Sequence, residues 1–278
     1  MCVAPARQAA SSRRIRPPPG PRAKESTTVQ AGLFITCLTD TFYPRVGAAM
    51  VAVLRHFGCE VRFPSQQTCC GQPAYNNGLP TDAAPLVEKL ARIFQHDRYV
   101  VSPSASCNAM IKLHGAELFD PGSESRRLVD ILADKLHDFT GFLTDVLDVD
   151  LTRCAPALPA QRVTWHYSCH CRGIIPFETA FERIRRLIGS RFVPLPRADQ
   201  CCGFGGAFAA EFEQISDAML EDKLSCLRQT GADLLICDEA GCRMNIEGGL
   251  HRRKHPLTVV HTAELIAEAL GLPLPEIP

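Results

Sequence analysis

The sequence predicts an α/β protein made of two duplicated halves, each a three-layer-type α/β unit with a parallel sheet and with cysteines at the carboxyl ends of its strands. The first observation is spacing: Cys37 and Cys69 are 32 positions apart, and so are Cys169 and Cys201, which relates both pairs by one offset of 132. The second is a CCG triplet that occurs once in each half. The third is an alternation of β-prone and helical segments, which is typical of parallel sheets with right-handed crossovers. Together these observations indicate an internal repeat.

Each half begins with a predicted strand and helix of the same kind. The runs "AGLFIT" (31–36) and "RVTWHYS" (162–168) are short, apolar and β-prone, and each ends just before a cysteine. Apolar residues at helical spacing follow in both halves, until Gly58 in the first and Gly189 in the second. The two halves therefore start with the same strand–helix unit.

The second and third units of each half follow the same plan. The segments "EVRFP" and "RFVPLP" are predicted strands that lead to the CCG triplets within a few residues. Helical periodicity returns near 81–95 and 211–229, and the apolar strands "YVVS" and "DLLIC" come next. Cys107 and Cys242 lie just beyond these strands. We therefore expect three strand-end loops with cysteines in each half.

The remaining segments set the domain organisation. A helix is predicted at 125–139, and "TVVHTAEL" is predicted to be a last strand passing into a helix with Thr262 as its N-cap. We place the boundary between the halves near residue 155, which gives a first domain at 31–155 and a second at 156–278, each with one CCG triplet. The first 30 residues contain five prolines, six Arg or Lys and one Glu without apolar periodicity, and we expect them to be a disordered tail.

Composition excludes several classes of function. The chain is 46% hydrophobic and 22% charged with a formal net charge of zero, so nothing in it favours nucleic acid or an anionic membrane as a partner. It has no run of 18 apolar residues and no apolar stretch of the kind that a secretory signal requires. The sequence therefore predicts a cytoplasmic protein with no membrane span.

The cysteines dominate the functional prediction. Fourteen are present, and in a reducing compartment they favour metal or redox chemistry over disulfides. Loops at the carboxyl ends of parallel strands gather at one edge of a sheet, so the cysteines of each half can converge. The first set is Cys37, Cys69, Cys70 and Cys107, and the second set is Cys169, Cys201, Cys202 and Cys242.

The pattern of these thiols favours an iron–sulfur cluster over zinc. Four thiolates suit either, but structural zinc sites usually take ligands from C-x(2–4)-C knuckles, and no such knuckle completes either set. Adjacent cysteines bind different irons of a cluster more readily than one tetrahedral ion. Gly71 and Gly203, directly after the cysteine pairs, let the backbone turn sharply and approach a cluster closely. Zinc stays open as the alternative.

The residues that carry these arguments also resemble a known family. The segments "CLTDTFYPRVGAAM", "QQTCCGQPAYNNG", "SPSASCNAM", "SCHCRG", "CCGFGGAF" and "GCRMNI" resemble the duplicated CCG cysteine-rich domain. That domain occurs in the lactate utilization protein A family, in heterodisulfide reductase and in the glycolate oxidase iron–sulfur subunit. The resemblance covers residues 31–272 and is greatest to the lactate utilization family.

The sequence shows no dinucleotide fingerprint, flavin motif or Ser/His/Asp arrangement, so we expect an oxidoreductase subunit that carries electrons rather than one with its own site for removing a hydride from a substrate. Four thiolates per half suffice for one [4Fe–4S] cluster in each half, held by the two cysteine sets. The resemblance implies a system that oxidises L-lactate to pyruvate, with electrons passing through these clusters toward the respiratory chain. The implied partners are a ferredoxin-type iron–sulfur subunit and other lactate utilization subunits, through which the chain would meet the membrane. Alternatives are a glycolate oxidase-type subunit, a heterodisulfide reductase-like thiol–disulfide enzyme, and a zinc-stabilised or cluster-free scaffold for partner binding.

The sequence departs from the fullest form of the pattern, which ends each repeat with C-x-x-C. Ser104 and Glu239 stand at the first of these cysteine positions, so each set has four cysteines rather than five. We expect both residues to be solvated loop residues, with direct ligation as the alternative. Cys171, two positions after Cys169, is an alternative ligand.

Other residues near the cysteines have two interpretations. His166 and His170 bracket Cys169, and either could donate a hydrogen bond to a cluster sulfur or be a strand-end histidine satisfied by backbone. Cys59, Cys226 and Cys237 fall outside the duplication, and we expect them to be small buried hydrophobic residues. His261 is expected to order its strand-to-helix turn rather than to bind metal.

Overall fold

The computed structural model describes residues 28–154 and 160–275. The predicted tail, apart from its last three residues, and the predicted boundary near residue 155 lie outside the described residues. The two halves are the segments on either side of this gap.

The first half alternates strands and helices as predicted. Its elements in chain order are β1 (Gln30–Leu33), α1 (Cys37–Phe42), α2 (Pro44–His56), β2 (Glu60–Arg62), α3 (Gln72–Asn76), α4 (Pro80–Ile93), β3 (Val100–Ser102), α5 (Ala105–Ala109), α6 (Glu124–Lys135), β4 (Leu136–Asp138) and α7 (Phe139–Gly141).

The second half repeats the plan. Its elements are β5 (Val163–His166), α8 (Phe177–Ile188), α9 (Ala207–Glu211), α10 (Glu213–Thr230), β6 (Leu234–Cys237), α11 (Ala240–Arg252), β7 (Thr258–Val260) and α12 (Thr262–Ala269). A short 3₁₀ turn at Cys169–Cys171 follows β5.

The strands form two parallel sheets, which confirms the predicted fold class. The first sheet has the order β2-β1-β3-β4 and the second has the order β5-β6-β7. The predicted strand "RFVPLP" is reduced to one isolated bridge, between Phe192 and Val163. Pro194 and Pro196 have no amide hydrogen to give to a neighbouring strand, so a full ladder cannot form there. The bridge still lies beside β5 as β2 lies beside β1.

Two predicted local features are wrong in detail. The helix predicted at 125–139 ends at Lys135, because Leu136 is already extended and begins β4, which pairs with β3. The N-cap of α12 is His261 and not Thr262: the His261 side chain accepts a hydrogen bond from the Ala263 amide. His261 thus orders this turn, as the sequence predicts, although it does so through the capping role expected of its neighbour.

The halves share one hydrophobic core. Val53 and Leu54 of α2 belong to the same buried cluster as Trp165 of β5 and Ile266 of α12. Smaller clusters lie within each half, one around Cys70 and Cys107 and the other around Cys202 and Cys242. Packing of α2 against α12 therefore fixes the halves side by side.

No helix among residues 28–154 and 160–275 is long and apolar enough to cross a membrane.

Candidate metal centre

Two cysteines of each set follow the carboxyl end of a strand, as the sequence predicts. In the first half, Cys37 begins α1 just after β1, and Cys107 lies in α5 just after β3. In the second half, Cys169 begins the 3₁₀ turn after β5, and Cys242 lies in the first turn of α11 after β6. Parallel pairing brings these strand ends to one edge of each sheet.

The CCG triplets adopt the same backbone turn in both halves. Gly71 has φ +85° and Gly203 has φ +86°, a left-handed conformation that glycine adopts without strain. Space requires glycine as well, because a Cβ on Gly203 would lie 2.6 Å from the carbonyl oxygen of Ser216, and one on Gly71 would lie 3.0 Å from that of Ala83. Gly71 therefore approaches the backbone of α4 closely, and Gly203 approaches that of α10.

This turn separates the two cysteines of each pair. Cys70 and Cys202 are buried, whereas Cys69 and Cys201 are half-buried. The amide of Asn245, on α11, donates to the carbonyl oxygen of Cys202 at 2.8 Å and holds the second triplet against that helix. The two adjacent cysteines of each triplet thus line the same cleft, one buried and the other half-buried.

All eight thiols line a single cleft between the halves. This thiol cleft has a volume of about 1030 Å³, including the part that opens to solvent. Its cysteines are Cys37, Cys69, Cys70, Cys107, Cys169, Cys201, Cys202 and Cys242. The sequence predicts convergence within each half, and the structure in addition brings the two sets to the same cleft.

Thiols within each set lie close enough to perturb one another. In the first set, contact with Cys37 and then with Cys70 holds the pKa of the Cys69 thiol well below its usual range, while Cys69 in turn raises the pKa of Cys37. Contact with Cys107 and burial raise the pKa of Cys70. The thiols of the first set are therefore coupled to one another in their ionisation.

The second set repeats this arrangement. The Sγ atoms of Cys169 and Cys201 are 4.0 Å apart, and the amide of Gly203 donates to the Cys201 Sγ at 3.4 Å. Contact with Cys169 first, and then with Cys202, lowers the pKa of Cys201, and the pKa values of Cys169 and Cys202 are raised. A thiolate is the form that binds metals, so each set holds a ready ligand.

The two histidines near Cys169 have different surroundings. His170 lines the thiol cleft, and its Nδ1 is 3.7 Å from the Cys169 Sγ. His166 is 2% exposed, and a ring nitrogen lies within 4.8 Å of both the Cys202 and the Cys242 sulfur atoms. Within the described part of the chain neither nitrogen of His166 has a hydrogen-bond partner, so it is not satisfied by backbone.

Ser104 and Glu239 are not solvated, and that expectation is wrong. They are 2% and 4% exposed, and the Ser104 hydroxyl donates to the Glu239 Oε2 at 2.9 Å. The Ser106 amide donates to Oε2 at 2.8 Å, the Ser106 hydroxyl to Oε1 at 3.1 Å, and the Gly241 amide to Oε1 at 3.3 Å. The carboxylate is buried because donors from both halves satisfy it. These contacts join the halves beside the thiol cleft.

The remaining cysteines lie apart from the eight. Cys171 lines a neighbouring cavity with Asp138 and Trp165, and burial raises the pKa of its thiol. Cys59, Cys226 and Cys237 are buried in the core. Cys2 lies outside the described residues.

Lys223 is a residue near the site that sequence reasoning missed. Its side chain is fully buried beside the second set, and its Nζ donates to the carbonyl oxygens of Arg197 and Ala198 at 3.0 and 3.4 Å. The signal was present, because Lys223 lies on the apolar face of α10 with Leu220, Leu224 and Leu227. A lysine at such a position indicates a buried polar partner.

The donor set fits a metal or an iron–sulfur group. Eight thiols around one cleft provide soft ligands, and a buried imidazole without a partner among the described residues faces the same sulfur atoms. Hard cations such as Mg²⁺ require oxygen ligands and do not match this set.

Comparison with known proteins gives three findings. The family model for the CCG cysteine-rich domain matches residues 31–112 and again 163–247. The chain is 40% identical over 239 residues to lactate utilization protein A of Geobacillus sp. (strain WCH70), covering 86% of this chain and 99% of that protein, and the figures for the protein of the same name from Bacillus licheniformis are the same. It is 37% identical over 244 residues to lactate utilization protein A 2 of Bacillus cereus (strain Q1), covering 87% of this chain and all of that protein.

Proposed function

Because this chain belongs to the lactate utilization protein A family and contains two CCG cysteine-rich domains, we propose that it is an iron–sulfur electron-transfer subunit of an L-lactate oxidation system. The first set of cysteines would hold one [4Fe–4S] cluster and the second set another. Partner subunits, one of them a ferredoxin-type iron–sulfur protein, would provide the substrate site and the path toward the respiratory chain.

One observation carries this proposal: the eight thiols of the two sets line the same cleft. When bound, each cluster would accept and release one electron at a time. Oxidation of lactate to pyruvate releases two electrons, so two clusters in one cleft match the number that a turnover delivers. A single cluster would accept only one of these two electrons at a time.

The residues around the cleft have roles that suit such a carrier. Buried Cys70, Cys107, Cys202 and Cys242 form the protected side of the cleft, and burial keeps water from the sulfur atoms. Cys37 is exposed, so the first set lies close to the surface that a partner can approach. The Gly203 amide donates to Cys201 and stabilises its thiolate form.

The decisive measurement is iron, acid-labile sulfide and zinc per chain, with EPR, on protein purified without oxygen. We expect about eight irons and eight sulfides and no stoichiometric zinc. Zinc without sulfide would contradict the proposal and favour a metal-stabilised scaffold.

Substitutions assign the clusters to the two sets. Cys70→Ser and Cys202→Ser should each lower the iron content by about half, because each removes a ligand from one set only. Cys59→Ala is the matched control, since Cys59 is a buried cysteine of the core away from the cleft, and it should leave the iron content unchanged. Electron transfer from a reduced partner should fall in both cleft variants and persist in the control.

A further inference from the structure

The surroundings of the two cysteine sets differ, although their spacing is duplicated. The offset of 132 that relates Cys37 to Cys169 also relates Phe34 to His166. Phe34 is buried, belongs to the cluster that contains Cys70 and Cys107, and packs edge-on against Phe94 with ring centroids 6.0 Å apart. The first set thus has an apolar ring where the second has an imidazole.

His166 has no other function visible in its contacts. It ends β5, where pairing with Cys237 of β6 fixes its backbone. Both ring nitrogens are buried without a hydrogen-bond partner among the residues that the structure describes, and leaving a buried polar group unpaired is unfavourable. A ring nitrogen nevertheless lies within 4.8 Å of the sulfur atoms of Cys202 and Cys242. These two sulfurs are therefore the polar atoms that the imidazole faces.

A second difference between the halves also places a more polar residue near the second cysteine set. The contacts of Gly71 with Ala83 and of Gly203 with Ser216 align α4 with α10, and Lys223 then corresponds to Leu90. Leu90 is buried and apolar, whereas Lys223 brings a buried amine to the second set. Donors and positive charge near a cluster favour its reduced, more negative form. The exchange of Phe34 for His166 thus favours reduction in the second half, and the exchange of Leu90 for Lys223 makes the second half more polar near its cysteine set.

We propose that the imidazole of His166 donates a hydrogen bond to a sulfur of the cluster held by the second set, and that this cluster consequently has a higher reduction potential than the cluster held by the first set. The proposal rests on the proposed function, because it needs a cluster in each half. With a cluster in each half, this difference in potential would favour transfer of one electron from the first set's cluster to the second set's cluster, and no bond would form or break. Electrons would therefore cross the thiol cleft from the half that contains Phe34 to the half that contains His166.

The test combines a redox titration with nitrogen spectroscopy on the anaerobically purified full chain. EPR-monitored titration with dithionite should resolve two midpoint potentials. In protein labelled with ¹⁵N-histidine, the second cluster should show a histidine nitrogen coupling by pulsed EPR. In His166→Phe the coupling should be lost, and the higher potential should move toward the lower one.

Two further variants distinguish loss of the hydrogen bond from a general disturbance of the fold. His166→Gln retains an N–H donor and should restore part of the shift, while Phe34→His installs the imidazole in the first half and should raise the lower potential. Two clusters with equal potentials, or no histidine coupling and no shift in His166→Phe at full iron content, would overturn the proposal. Absence of iron from the wild-type chain would instead contradict the proposed function, so the two failures are distinguishable.

Discussion

The Glu239 side chain joins the two halves through hydrogen bonds that its position in the sequence does not predict. It stands three residues before Cys242, as Ser104 stands three residues before Cys107, and the two equivalent residues contact each other across the halves. Four hydrogen bonds satisfy the carboxylate in a buried place. No local pattern predicts this contact, because Ser104 and Glu239 are 135 residues apart and each alone resembles a loop residue.

Glu239→Gln tests this contact. The amide nitrogen that replaces one carboxylate oxygen cannot accept a hydrogen bond, so at least one buried donor loses its partner. We expect the free energy of unfolding to fall by about 1–3 kcal/mol, measured by urea denaturation. Glu268→Gln, a change at an exposed position of α12, should stay within about 0.5 kcal/mol. Equal effects of the two substitutions would show that the contact contributes no stability.

His137 gives the protein a pH dependence that is separate from the cysteines. Burial first, and then the charge of Lys112, lower the pKa of His137 from its ordinary value of 6.5. Below pH 6.5 the unfolded chain binds a proton at this site that the folded chain does not, so its contribution to stability is present above pH 6.5 and is lost as the pH falls toward the folded pKa.

We therefore expect His137→Phe to flatten the decline of stability between about pH 6.5 and pH 5. The ring of His137 packs edge-on against Tyr99 and Phe142, and phenylalanine can keep these contacts. The measurement is the unfolding midpoint in urea as a function of pH. His96→Gln, at an exposed histidine, should keep the wild-type slope, and an unchanged slope in His137→Phe would refute the assignment.

At the scale of elements, the strand ends are predictable from the sequence and the partners of the turns are not. Short apolar runs that stop before a cysteine locate β1, β3, β5 and β6, because burial on both faces of a parallel strand leaves a continuous hydrophobic signal. The strand predicted at "RFVPLP" does not form because prolines break the hydrogen-bond ladder. The sequence places His261 at the correct turn but assigns its capping role to Thr262, because histidine is a rarer N-cap than threonine.

The CCG turn gives a prediction at this scale. Gly203→Ala should lower the free energy of unfolding by about 2–3 kcal/mol, because it combines a positive φ with a clash against the backbone of α10. Gly78→Ala is the matched control, since Gly78 has φ +73° and no atom within 4 Å of the added Cβ. It should cost only about 1 kcal/mol. Calorimetric unfolding compares the two, and equal losses would show that backbone conformation alone requires the glycine.

At the scale of the whole molecule, the duplication explains why there are two sheets, but it does not explain how the two halves pack against each other. The duplicated cysteine pattern, with an offset of 132 for three pairs and 135 for Cys107 and Cys242, predicts that each half gathers four cysteines, and each half does. That both sets face one cleft depends on how α2 packs on α12 and on the Glu239 contact, which no repeat within the sequence specifies. The asymmetry between Phe34 and His166 is visible in the sequence, but its meaning requires the distances to Cys202 and Cys242.

The shared core predicts that neither half is stable alone. A chain ending at residue 154 would expose Val53 and Leu54, and a chain starting at residue 160 would expose Trp165 and Ile266. We expect each fragment to lack a cooperative unfolding transition by circular dichroism and to regain one when the fragments are mixed. Cooperative unfolding of an isolated half would contradict the shared core.

The depth of the cysteines also constrains how the protein matures in the cell. Cys37, Cys69, Cys169 and Cys201 are reachable from solvent, whereas Cys70, Cys107, Cys202 and Cys242 are not. Under the proposed function, a delivery factor would therefore exchange iron first with the outer thiols, and the inner thiols would complete the coordination afterwards. The outer cysteines would then bind iron before the buried ones. A factor that inserts clusters would need to recognise only the part of the cleft that contains the outer cysteines.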